Sequence, residues 1–158
     1  LRRGVSGAAG EIGHIPINPE GPWCACGQRG CVETYASGTA LSARWPSRFG
    51  RPAPAELFEA AAAGDSEALR IRDEFAAAVA TAVRILELTV DVRHVVLGGG
   101  VTGLGQPLLD VVRSALVAQS GTSPFLASLE LEKRVSLAPS DVPVAAVGAA
   151  IAGRRKVS

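Results

Sequence analysis

Several protein classes are excluded by what this sequence has little of. Aromatic residues make up only 4% of its 158 residues, so the core must be aliphatic, with Ala, Val, Leu and Gly bringing helices close together. No run of about 18 apolar residues lacks a charge or a break, so no membrane span is written into it. No signal-peptide pattern stands at the start. No basic stripe exists: the formal net charge is +1. The clusters of cations at the two ends, Arg2-Arg3 and Arg154-Arg155-Lys156, read as solvated, so a nucleic-acid footprint is missing from this stretch. There is no internal repeat and no low-complexity segment. The first residue is Leu, and the sequence reads as though cut from something longer.

What is present is a globular composition. Hydrophobic residues account for 47% and charged residues for 20%, which argues against disorder. The length suits one domain with a real core.

The punctuation by Gly and Pro divides the chain. Residues 1–38 are rich in both and hold all three Cys. Ile12-Gly13-His14-Ile15-Pro16-Ile17 alternates apolar with small or polar residues and predicts a short strand entering a loop. Pro16, Pro19 and Pro22 keep the following stretch extended. One helix is expected from just after Gly30 through Tyr35 and Leu41 to Arg44, then a connection at Pro46, Gly50, Pro52 and Pro54. A short Ala-rich helix follows over about 55–63, ended by Gly64. Asp65 or Ser66 then caps the longest helix, which runs to about Leu88. Its Phe75, Val79, Ala82, Val83 and Leu86 recur at helical spacing and predict a core face with no cofactor role. Residues 94–97 predict a buried strand, followed by Gly98-Gly99-Gly100. A helix over 106–119, a strand over 134–138 and a final helix over 144–152 complete the order. Strands alternating with helices indicate an α/β fold.

The cysteines carry the most specific signal. Cys24-x-Cys26 is followed after four residues by Cys31, with Gly27 and Gly30 inside the gap. Glycine's access to positive φ lets so short a loop wrap around one point. His14 lies ten positions before Cys24. Three thiolates and an imidazole form the Cys3His set of a closed structural zinc site, and soft ligands of this kind do not suit magnesium. Three thiols in one loop leave one unpaired by any disulfide and point away from secretion, to a cytoplasmic setting. Ordinary buried thiols and a redox pair are the competing readings. A nucleic-acid-binding finger would need a second His and a basic recognition helix, both missing.

Gly10-Glu11-Ile12-Gly13-His14, followed by Cys24-Ala25-Cys26-Gly27-Gln28-Arg29-Gly30-Cys31-Val32-Glu33, resembles the E-x-G-H and C-x-C-G-x-x-G-C-x-E signatures of the ROK family of sugar kinases and sugar-responsive repressors. The resemblance covers about the first 38 residues, and the remaining elements follow the order of that family's C-terminal lobe. It implies the C-terminal lobe of an actin-like ATPase (ribonuclease H-like) fold, with a zinc-binding loop at about 10–38 and the N-terminal lobe absent. It implies zinc on His14, Cys24, Cys26 and Cys31, and sugar hydroxyls on Glu11, His14 and Glu33, with His14 shared. By residue chemistry alone, the two carboxylates would also serve as solvated acids, Glu33 favouring a helix dipole. A carboxylate accepting from a sugar hydroxyl makes a charge-assisted bond, the stronger kind.

Val95-Val96-Leu97-Gly98-Gly99-Gly100-Val101 resembles the segment where family kinases receive the adenosine of ATP, so Gly98, Gly99 and Gly100 are the candidate nucleotide residues. ATP with magnesium would then be the cosubstrate of the whole kinase. The resemblance puts the general base, an Asp following an Asn, and the phosphate-holding glycine turns before Leu1. No catalytic residue is therefore expected within the chain, which should not turn over alone. Ala145-Ala146-Val147-Gly148-Ala149-Ala150 resembles the family's C-terminal helix, its small residues suited to close packing. The implied partner is a hexose or N-acetylhexosamine, with DNA only for a repressor and no membrane. An open sheet edge is expected, with marginal solubility unless another chain covers it, hence a homo-oligomer. An ATP-dependent sugar kinase and a sugar-responsive repressor both remain open as the parent, the intact triple glycine favouring the kinase.

Overall fold

The longest helix organises the chain. In the computed structural model, which describes residues 4–139 and 141–154, α4 spans Ser66–Val90. Three helices precede it: α1 (Glu33–Ala36), α2 (Gly38–Arg44) and α3 (Ala53–Ala62). After it come β1 (Val95–Leu97), a 3-10 turn at Gly100–Leu104, α5 (Gln106–Ser120), α6 (Pro124–Ser128), β2 (Val135–Leu137) and α7 (Val144–Arg154). The basic end residues Arg2, Arg3, Arg155 and Lys156 lie outside the described residues.

α4 forms where it does because Asp65 accepts the Ala68 N–H at 2.9 Å, capping its first turn. It ends at Asp91, whose left-handed φ of +51° turns the chain toward β1. Ala68, Ile71, Phe75, Ala80 and Val83 point inward from it. They meet Leu57 and Ala61 of α3, and Leu108, Leu109, Val112 and Leu116 of α5. Fully burying each larger side chain stabilises by roughly 1.5–3 kcal/mol. Ala76, Ala78 and Ala80 of α4 are also buried. β1 and β2 pair in parallel, Val95 opposite Val135 and Leu97 opposite Leu137, joined by a helical crossover as α/β chains require.

Four expectations need correction. The alternating run over 12–17 is a 3-10 turn at Ile12–His14 followed by one antiparallel bridge, Pro16 to Cys31. His14 and Ile15 donate their N–H groups back to Glu11 and Ile12, so His14 curls inward instead of alternating outward. The single helix expected over residues 31–44 is broken at Ser37, whose extended backbone and hydroxyl cap α2 through the Ala40 N–H at 3.0 Å. The strand expected to be buried leaves Val96 59% exposed, because β2 is its one ladder partner among the described residues. Finally, α7 packs against little. Its Val144, Val147 and Ile151 are exposed, and a Cβ added at Gly148 would meet nothing within 4 Å. Among the described residues, the small residues of α7 close no interface.

Candidate metal and ligand site

The site begins with backbone folding in residues 15–32. Ile17 and Asn18 both donate N–H to the Gly30 carbonyl, Gly30 donates to Pro22, and Val32 donates to Ile15. Cys24 donates to Gln28, and Gly27 donates back to Cys24. The result is a tight double-backed loop. Gly30 holds φ +63°, and a Cβ there would stand 1.7 Å from the Asn18 carbonyl oxygen. Only glycine fits. Arg29 stacks over Trp23, 4.4 Å from the ring centroid, closing the tip.

This folding brings the four sequence-predicted ligands together. One ligand atom from each of His14, Cys24, Cys26 and Cys31 lies within 4.8 Å of all the others. Cys24 Sγ is 3.5 Å from His14 Nδ1, and Cys26 Sγ is 3.7 Å from Cys31 Sγ. Cys31 is fully buried and Cys24 nearly so, whereas Cys26 faces solvent. These environments split the thiols. Gln28, donating to the sulfur from its side-chain amide and its backbone N–H, lowers Cys26 to about 6. Burial pushes Cys31 up to about 12. The cluster could hold a metal ion.

Both candidate carboxylates adjoin the cluster through the same ring. Glu33 Oε2 lies 3.4 Å from His14 Nδ1, and Glu11 Oε2 lies 3.7 Å from His14 Nε2. All three side chains are at least a third exposed, so a polar ligand can reach them. Nδ1 faces both Cys24 Sγ and Glu33, and Nε2 faces Glu11.

The glycine turn borders a cleft of about 460 Å³ lined by Gly98, Gly99, Gly100, Val101 and Thr102 on one side and by Ile12, Gly13 and Ser37 on another. Gly99 carries φ +99° where β1 turns into the 3-10 segment. The loop next to His14 and the triple glycine thus front one cavity. Val79, Ala82 and Leu86 of α4 form its floor and are half-buried. The helical stripe expected to be core therefore divides: Phe75 and Val83 are buried in the core, Val79 packs against it, and all three also reach the cleft, while Ala82 and Leu86 are cleft wall.

Sequence reasoning missed Gln28. Its Nε2 donates to the His14 carbonyl at 3.0 Å and to Cys26 Sγ at 3.4 Å. It also missed Asn18, which donates to the Tyr35 hydroxyl at 2.9 Å. The Gln28 position offered a signal, since a donor two residues after a ligating Cys is well placed to reach its sulfur.

The fold and site define an α/β chain with a Cys3His cluster beside two carboxylates and a glycine-fronted cleft. A sequence model of the ROK family matches residues 1–152; the chain belongs to the ROK family. The N-acetylmannosamine kinase of Citrobacter koseri is 39% identical over 119 residues, which are 75% of this chain and 41% of that protein. A ROK family glucokinase from Streptomyces griseus, solved in complex with glucose and AMPPNP, superposes with a TM-score of 0.59 at 34% identity, over 73% of this chain and 43% of that one. A ROK family transcriptional regulator, a homolog of the E. coli MLC protein, gives a TM-score of 0.60 at 25% identity, over 86% of this chain and 35% of that one. The chain thus spans about two-fifths of the curated kinases it matches.

Proposed function

We propose that this chain is the sugar-gripping, zinc-held C-terminal lobe of a ROK sugar kinase acting on a hexose or N-acetylhexosamine. The observation that carries the metal reading is the pair of distances in the cluster. A tetrahedral zinc with sulfurs at about 2.3 Å and nitrogen at about 2.1 Å separates two sulfurs by about 3.8 Å and sulfur from nitrogen by about 3.6 Å. The cluster has 3.7 Å and 3.5 Å. Disulfide partners would be near 2 Å. Four protein ligands leave zinc no open position, so its role is structural.

His14, Glu11 and Glu33 would then read the sugar. With Nδ1 on the metal, Nε2 is free to donate to a sugar oxygen while each carboxylate accepts from a hydroxyl. Zinc fixes the ring, and the loop fixes Glu33 against it, so the three groups are held before ligand arrives. The turn at Gly98–Gly100 would receive the nucleotide, its lack of side chains leaving backbone open to close approach. The identity to kinases supports this assignment.

Purified protein should contain about one zinc per chain. Calorimetric titration with N-acetylmannosamine and with glucose should give heat for one of them. E33Q should weaken that binding about 10-fold or more, as loss of a charge-assisted hydrogen bond does. Absence of zinc, or sugar binding indifferent to E33Q, would sink the reading.

The regulator's wider coverage of this chain, 86%, favours a second reading as the effector-binding lobe of a sugar-responsive repressor. Sugar binding with no response to AMPPNP and magnesium would select it. DNA would then be a partner of the whole protein.

A further inference from the structure

The four candidate ligands are not equally protected. Cys31 and Cys24 are buried, and His14 is flanked by two carboxylates, but Cys26 is open to water. A metal–thiolate bond at an exposed sulfur is the one most readily reached by a chelator or a competing proton donor. What stands beside Cys26 is Gln28. Its side-chain Nε2 approaches Cys26 Sγ at 3.4 Å and donates to the His14 carbonyl at 3.0 Å. Its own carbonyl accepts the Cys24 N–H at 2.8 Å. One residue therefore touches the main chain or sulfur of three of the four ligand residues. The main-chain bridge to His14 spans fourteen positions, so it ties the two separated parts of the site together.

Resting on the zinc reading above, we propose that Gln28 is a positioning residue for the metal: its amide clamps the exposed Cys26 thiolate and the His14 segment together and so governs how long the metal is retained. The physical argument is in two parts. The N–H donor on the Cys26 sulfur fixes the direction in which the thiolate points and spreads its negative charge. The second N–H, on the His14 carbonyl, fixes the backbone from which the imidazole projects. Groups that orient ligands in this manner change metal affinity by about 10–100-fold when removed. Both functions need a donor, so a side chain of equal length without N–H should fail as badly as a truncated one.

The test uses the whole chain and two variants, Gln28→Ala and Gln28→Glu. Gln28 is exposed, so both variants should retain the helical far-UV signal. Zinc content is measured first, then zinc release to a chromogenic chelator, then the spectrum after cobalt substitution. Both variants are expected to bind zinc about 10–100-fold more weakly and to release it correspondingly faster. In the cobalt forms, at saturation, the sulfur-to-cobalt charge-transfer band should move to longer wavelength, because a thiolate that keeps the backbone N–H but loses its side-chain donor gives up charge more easily. Simple loosening of the loop would lower occupancy without moving that band. Equal zinc retention in wild type and variants, or an unmoved band, overturns the role of Gln28 and leaves the zinc site standing. A loss in Gln28→Ala with none in Gln28→Glu also overturns it, since the Glu side chain donates no N–H. Wild-type protein without zinc defeats both the site and this inference, and metal content alone tells that case apart.

Discussion

Two residues far apart in chemistry show how single positions hold this molecule. Gly30 sits where the chain crosses itself, its α-carbon facing the Asn18 carbonyl with no room for a methyl group. Gly30→Ala combines that backbone collision with a strained φ of +63°, so it should destabilise the loop by about 3 kcal/mol or more and abolish metal binding. Metal analysis of the purified variant checks it. Glu56, on α3, is buried and accepts from the backbone N–H groups of Arg48, Phe49 and Arg51 at 2.7, 3.0 and 3.1 Å and from the Ser47 hydroxyl at 2.9 Å. Those bonds, the Arg48 N–H foremost, pull its carboxyl down to about 2. A folded-state pKa below the unfolded value of about 4.3 adds stability that is present above that value and lost as pH falls toward 2. Thermal melts should therefore find Glu56→Gln several degrees less stable at neutral pH, with the gap to wild type closing between about pH 5 and pH 2. A gap independent of pH would remove the charge from the explanation.

At the scale of elements, the long helix was legible from sequence because its signals agree: a capping Asp65, helical spacing of apolar residues, and Gly64 closing the helix before it. Asp65→Ala should cost about 1 kcal/mol, read as a drop of about 2–4 °C in melting temperature. The candidate metal ligands were legible for a different reason. Cysteine and histidine have little other reason to gather at such spacing, and the four meet as expected. What sequence did not reveal depends on partners distant in the chain. The strand expected over 12–17 fails because alternation over so few residues, one of them Gly13, does not distinguish a strand from a 3-10 turn. Ser37 breaks a run that propensity alone would continue, since its hydroxyl prefers to cap. The division of one α4 stripe between core and cleft wall is set by what packs against each turn, and periodicity carries no information on that. α6 went unnoticed because its five residues are too few to establish a period.

At the scale of the whole molecule, the Cys/His loop and the helical core are built separately. The main cluster of buried apolar side chains runs from Leu41 to Val135 and includes none of the cysteines. α4 and α5 are held by that cluster and by Gln119, which reaches across to the Ala77 carbonyl at 2.9 Å. The loop is held by its backbone ladder, by the Arg29–Trp23 stack and, on the proposed reading, by zinc. Structural metal binding in so small a segment is coupled to the local folding of that segment. Chelation should therefore unfold the loop and spare the helices. Arg29, exposed at the loop tip, makes this measurable: trypsin should cut after Arg29 rapidly in chelator-treated protein and slowly in the zinc form, while the far-UV helical signal changes little. Zinc added back should restore protection. If chelation instead melts the helices together with the loop, the two parts form one cooperative unit and the separation read from the packing is wrong. If it changes neither cleavage nor helix content, the loop stands without metal, and the claim that zinc holds His14 and Glu33 in place for a sugar loses its physical basis.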